Sequence, residues 1–206
     1  MNPALTEFIL DHEPAVRMGF FFGILAIMAA WEFMAPRREL SQPKAARWAN
    51  NLAIVFLNSL LLRLLFPLGA VSMALFAYNH EWGFFNYFHV PQAVAVMASV
   101  VAMDFAIYLQ HVIFHAVPVL RRLHRVHHAD LDLDVTTGAR FHPIEIILSI
   151  ILKFAIILVL GAPVLAVMIF EILLSTASMF NHSNVRMPRA LDRFLRSIVV
   201  TPDMHR

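Results

Sequence analysis

The stretch IEIILSIILKFAIILVLGAPVLAVMIFEILLSTASMF, residues 144–180, decides the architecture. A helix crosses a hydrocarbon core in about 20 residues, so this run is too long for one pass. Gly161-Ala162-Pro163 near its middle reads as a turn between two passes. Basic segments flank it: Arg121, Arg122, Arg125 and Arg140 before, Arg186, Arg189, Arg193 and Arg196 after. Lys and Arg close to span ends are retained on the cytoplasmic side. The stretch must therefore cross an even number of times, because a single pass would leave one basic segment outside.

Working outward, residues 18–33 carry no charge before Glu32 and are bounded by Arg17 and by Pro36-Arg37-Arg38. Residues 48–78 are interrupted only by Arg63 and by the Pro67-Leu68-Gly69 break, which predicts tilt, a kink or a re-entrant portion. A third run covers residues 91–115 and contains Asp104. Five passes satisfy the charge rule, with the loop holding Arg37, Arg38, Lys44 and Arg47 also cytoplasmic. Residues 79–90 have no Lys or Arg and carry Trp82, Phe84, Phe85, Tyr87 and Phe88, as expected of an outer aromatic belt. Residues 1–13 lack the basic segment of a cleaved signal peptide, so the first run is expected to be retained.

Composition agrees. A chain of 206 residues that is 60% hydrophobic and 15% charged belongs to the membrane class, and mean hydropathy is +0.69. The fold class expected is all-α: an integral-membrane helical bundle of about five passes, with a histidine-rich cytoplasmic cap. Residues 1–90 form the N-terminal transmembrane helices and 91–206 the histidine-bearing region. The absence of cysteine removes disulfides, thiolate metal sites and iron–sulfur clusters. Any metal must be held by nitrogen and oxygen. Net charge is only +2, and the basic residues have a topological explanation, so nucleic acid is not an expected partner.

Eight of the eleven histidines fall in the second half of the chain. His111 and His115, spaced i, i+4, leave one helical face and can reach a common metal; Tyr108 and Asp104 extend that stripe. His124-x2-His127-His128 sets three rings on one side of a short helix. Pro143 suits a first helical turn, which puts His142 at the start of the fourth span and Glu145 one turn in, where a carboxylate needs a partner. Asn181-His182-Ser183-Asn184 closes the fifth span on the same side. His12, His80 and His89 sort to the outer side as loop residues. Asp104 and Glu171 lie inside apolar runs, where function or burial against a partner is expected, and Lys153 and Arg63 are expected to snorkel. Imidazole ligands suit iron, zinc, copper or nickel, and ligand type alone does not choose among them.

His111-x3-His115, His124-x2-His127-His128, Arg140-x-His142-Pro143-x-Glu145 and Asn181-His182-Ser183-Asn184, set around hydrophobic spans, resemble the fatty acid hydroxylase and sterol desaturase superfamily of integral-membrane di-iron enzymes. The resemblance covers Asp104 to the C-terminus. It implies two iron ions ligated by His111, His115, His124, His127, His128, His182 and His205, with His142 added to them. Asp104, Tyr108, Arg140 and Glu145 would orient those rings or complete the shell. It further implies an O2-dependent oxidoreductase acting on a C–H bond of a membrane lipid, giving hydroxylation, desaturation or ether cleavage, in a bacterial inner membrane or an endoplasmic-reticulum-type membrane. No glycine-rich nucleotide fingerprint is present, so electrons would come from a separate donor of the cytochrome b5, ferredoxin or reductase type. The family has a further H-x2-H-H box after the last span. Residues 201–206 resemble its opening, with His205 the first histidine, so the chain reads as a member cut within that box, its second iron short of ligands.

Two other classes compete. A metal transporter wants ligands near the midplane on matching halves of the chain, whereas these candidates cluster at one side with no internal repeat. A membrane-embedded zinc hydrolase would use Glu145 as base, and no H-E-x-x-H occurs.

Overall fold

The computed structural model describes residues 3–130 and 132–205. Five helical segments among the described residues are long and apolar enough to cross a membrane. The first is α1 (Pro3–Met34). The second crossing is a broken helix, α2 (Lys44–Leu65) followed by α3 (Ala70–Asn79), with the break at the Pro67-Leu68-Gly69 site. A short α4 (Phe84–Tyr87) leads to α5 (Gln92–Ala116), and α6 (Pro118–His128) turns back beneath it. A 3-10 turn at Thr137–Ala139 precedes the hairpin of α7 (Pro143–Leu160) and α8 (Val164–His182). Two short helices, α9 (Arg189–Leu195) and α10 (Pro202–His205), follow. No β-strand occurs among the described residues; the one bridge joins Pro36 to Val185. The molecule is an integral-membrane, all-α bundle.

The packed core sits where α3, α5, α7 and α8 meet around Phe170, Met103 and Ile157. Ala70, Ala74 and Ala77 line one face of α3 and are fully buried or nearly so, which lets its backbone approach closely. Large side chains elsewhere point outward: Phe20, Phe22, Phe56, Leu64, Met97 and Val101 are at least half exposed on their helices, as a lipid solvent requires. At the end remote from the histidines, Gly83 (φ 93°) lies against Gly161 (φ 66°), the residue that ends α7. A β-carbon on Gly83 would stand 2.0 Å from the Gly161 nitrogen, so both the left-handed turn and the contact demand glycine there.

Three sequence expectations need correcting. The first helix begins well before residue 18, because Arg17 is not a boundary: its guanidinium pairs with Glu13 at 2.6 Å and Glu171 at 3.0 Å. Lys153 does not snorkel; its ammonium meets Glu171 at 2.7 Å and its side chain is 13% exposed. A lysine within reach of a buried carboxylate is better placed there than at a distant interface. Glu171 has the partners expected of it, but Asp104 is exposed on α5.

Candidate metal centre

Val117 is held extended (φ −87°, ψ 120°) because a proline follows it, and this ends α5 and starts α6 with Pro118 in its first turn. The sharp reversal folds His124, His127 and His128 back against His111 and His115. Ring centroids of His111 and His115 lie 4.8 and 4.7 Å from His124. From the other side α8 delivers His182, and α10 delivers His205 at 4.1 Å from the His182 ring. Three triplets result, His111/His115/His124, His124/His127/His128 and His127/His182/His205, each with candidate ligand atoms within 4.8 Å of one another. They share members, so seven imidazoles form one continuous cluster.

Glu145 of α7 receives the His124 Nδ1–H at 2.7 Å, and both side chains are buried. His127 donates Nδ1–H to the Arg140 carbonyl at 3.0 Å and stacks on Phe141 with rings 6° from parallel. His182 donates Nδ1–H to the Ser178 carbonyl at 2.7 Å. A carbonyl oxygen only accepts, so the proton of both neutral rings must sit on Nδ1. Their Nε2 atoms then carry lone pairs, yet they face each other across 2.7 Å. Two lone pairs at that distance repel unless a cation lies between them. A proton is disfavoured: burial, and next to it the charge of His182, push the His127 ring down to about 2. His128 is likewise lowered to about 4, by burial first and then by His124. His205 is lowered by burial and by His115 and His124, and its Nε2 is buried without a hydrogen-bond partner. Glu145 Oε2 is equally orphaned. A neutral, lone-pair-rich, partly unsatisfied nitrogen set is the donor chemistry of a divalent transition metal.

Not every sequence candidate joins this cluster. His142 stands at the head of α7, where its Nδ1 accepts from the Ile144 backbone N–H at 3.1 Å; it makes no ring contact with another histidine among the described residues. Tyr108 is 59% exposed and Asp104 also faces outward, because α6 reaches back along α5 only as far as His111. The guanidinium of Arg140 turns away to Asn51 Oδ1 at 3.3 Å, and only its carbonyl meets a histidine. His12 and His80 bond the carbonyls of Phe8 and Phe76 one turn back and lie outside the cluster. Arg206, which follows His205 in the opening of the final box, lies outside the described residues.

A supporting layer escaped the sequence reading. Glu32, at the end of α1, is buried and accepts from the backbone N–H groups of Val135 at 2.7 Å and Asn184 at 2.8 Å, while Lys44 pairs with it at 3.0 Å. Arg47 at the start of α2 grips both oxygens of Asp130, at 2.9 and 2.8 Å, meets Asp134 at 2.8 Å and also bonds the Asp132 carbonyl. Asn51, one turn on, bonds Asp130 and Thr136. These contacts hold Asp130 and residues 132–141 in place, and with them the carbonyl that fixes His127. The available signal was the pair Arg47 and Asn51 at i, i+4 beside an apolar run, facing a loop with Asp130, Asp132 and Asp134 in alternation.

The sequence profile described as Fatty acid hydroxylase matches residues 96–206, which contains every member of the cluster. The chain is also 26% identical over 195 residues to a protein named ornithine lipid hydroxylase OlsE from Rhizobium tropici. That alignment covers 90% of this chain and 57% of the relative, so the chain spans little more than half the relative's length. No solved structure matches it significantly.

Proposed function

Because this chain belongs to the fatty acid hydroxylase family, we propose that it carries the di-iron centre of an O2-dependent membrane lipid hydroxylase. The observation that carries the reading is the pair of unprotonated Nε2 atoms of His127 and His182 facing each other at 2.7 Å. His111, His115, His124, His127, His128, His182 and His205 would hold the metal, and His142 caps α7 beside them. Iron held by these residues would supply the activation of dioxygen needed for attack on an unactivated lipid C–H bond.

The chain's own residues do the rest. Glu145, the Arg140 carbonyl and the Ser178 carbonyl fix the tautomers of His124, His127 and His182, so that Nε2 of each is the free ligand atom. Phe114 at 6.0 Å from the His124 ring and Phe141 against His127 keep water from the buried side of the cluster. The exposed face of α5 bearing Asp104 and Tyr108 leads along the lipid side toward His111, a path for an acyl chain. Beside His128 and His205 lies a cavity of about 280 Å³ whose lining includes Arg38, Glu39, Asp130 and Asp132. Charges of both signs there suit a zwitterionic head group, and with the relative's named activity this makes an amino-acid-bearing lipid the first substrate to try. The basic segments support a cytoplasmic orientation for this end of the bundle, where a separate donor protein would deliver electrons.

The test is metal analysis joined to product analysis on purified chain in lipid nanodiscs. Two irons per chain are expected, falling to one or none in His127→Gln and His182→Gln, and the product should gain one oxygen atom from 18O2. A single firmly held zinc per chain would overturn the reading.

A further inference from the structure

The segment after α8 carries a second feature that the metal centre does not use. Arg37 from the α1–α2 loop joins Arg186, Arg189, Arg193 and Arg196 around a cavity of about 520 Å³. Two carboxylates also line it. Asp203 pairs with Arg37 at 3.2 Å; Asp192 pairs with Arg196 at 2.7 Å and accepts from Thr201 at 2.7 Å. Among the described residues Arg186, Arg189 and Arg193 have no carboxylate within ion-pair distance. Five arginines against two aspartates leave three positive charges in excess here, in a chain whose whole net charge is +2.

The apolar residues of the same segment indicate what the cavity takes. Arg189, Arg193 and Arg196 follow i, i+4, i+7 and share one side of α9 and its continuation. Leu191, Phe194 and Ile198, at i, i+3 and i+7, form another side and are 41%, 63% and 68% exposed. A segment that follows directly on a membrane span and shows one apolar and one arginine-rich side lies in the interface plane, apolar side down. The arginines then stand at the depth of lipid phosphates, whose oxygens their planar forks match.

We propose that this cavity is a binding site for the phosphodiester head group of an anionic phospholipid, with Phe194 and Ile198 against its acyl chains. Inorganic phosphate shares the anion but would leave those apolar residues uncovered. An acidic protein would meet a pocket rather than a flat face. The site needs no metal and stands apart from the oxygenase reading.

Native mass spectrometry of the purified full chain, with dioleoyl phosphatidylglycerol and dioleoyl phosphatidylcholine titrated separately into the micelles, tests it. The wild type should retain one phosphatidylglycerol about tenfold or more in preference to phosphatidylcholine, because basic residues near a membrane surface attract anionic lipid. R189Q/R193Q should abolish the preference, while R121Q/R122Q, an equal charge change on α6, should leave it. The wild-type preference needs no variant to fold, and R189K/R193K keeps the charge while removing the forks, which should leave an intermediate ratio. Equal retention of the two lipids would overturn the proposal. So would equal losses in both glutamine pairs, displacement of phosphatidylglycerol by inorganic phosphate at about 10 mM, or binding of a polyglutamate peptide in place of lipid.

Discussion

Gly138 shows how one residue governs the centre. Its carbonyl accepts from Ser178 Oγ at 2.6 Å, and a β-carbon on it would lie 2.4 Å from the Ser178 carbonyl oxygen, the same atom that fixes His182. That oxygen and the Ser178 carbonyl carbon, at 2.8 Å, are backbone atoms, so relief requires the 3-10 turn to lift off α8. Gly138→Ala is expected to destabilise by about 1–3 kcal/mol, the usual cost of overpacking, and to lower bound metal. Gly69→Ala, with nothing within 4 Å, should change neither. Thermal unfolding and metal content of the two variants check this. Glu145 governs by charge: Glu145→Ala should weaken metal affinity about 10–100-fold, and Glu145→Gln, which keeps an acceptor for His124 Nδ1–H, by less. Competition with a chelator measures both.

At the scale of elements, the centre depends on two loops lashed together rather than on any one helix. Asp132 receives the backbone N–H groups of Ser41 and Gln42 at 2.8 and 2.9 Å and the Ser41 hydroxyl at 3.1 Å. Burial raises its carboxyl, but those bonds and nearby Arg47 outweigh that and hold it below the usual carboxylate range. A folded value below the unfolded one contributes stability that is present above about pH 4 and is lost as pH falls through the lowered value. Amide protection at Ser41 and Gln42 should therefore hold at neutral pH and decay below about pH 4. Asp132→Asn should remove that pH dependence while weakening protection at every pH. Hydrogen exchange followed by mass spectrometry reads both effects.

For the whole molecule, the ends of the helices set function. The C-termini of α1, α5 and α8 and the N-termini of α2 and α7 share the histidine end, while the aromatic turn at residues 79–90 packs on the far end of α7. The chain contains no cysteine, so single substitutions report topology without background. Arg122→Cys on α6 should react with a membrane-impermeant maleimide only after permeabilisation, and His80→Cys should react in intact cells. The reverse pattern would invert the orientation drawn from the basic segments.

Much of this was legible in the chain itself. Hydropathy, the Gly161-Ala162-Pro163 turn and the two basic flanks determined five passes, because lipid forces every spanning backbone into helices whose length and flanking charge show in one dimension. The spacings at 111/115 and 124/127/128 placed those rings on helix faces, since 3.6 residues per turn is a local property. Tertiary structure alone decided which faces meet. Asp104 and Tyr108 share a stripe with His111 and His115, yet α6 covers only the last turns of that stripe, and a helix's reach cannot be read from periodicity. Lys153 and Arg17 converge on Glu171 from helices far apart in sequence. Glu32, Arg47 and Asn51 buttress the histidines through hydrogen bonds that span 79 to 152 positions. Long-range pairing leaves no periodic trace, so only the packed bundle shows which polar groups complete the centre.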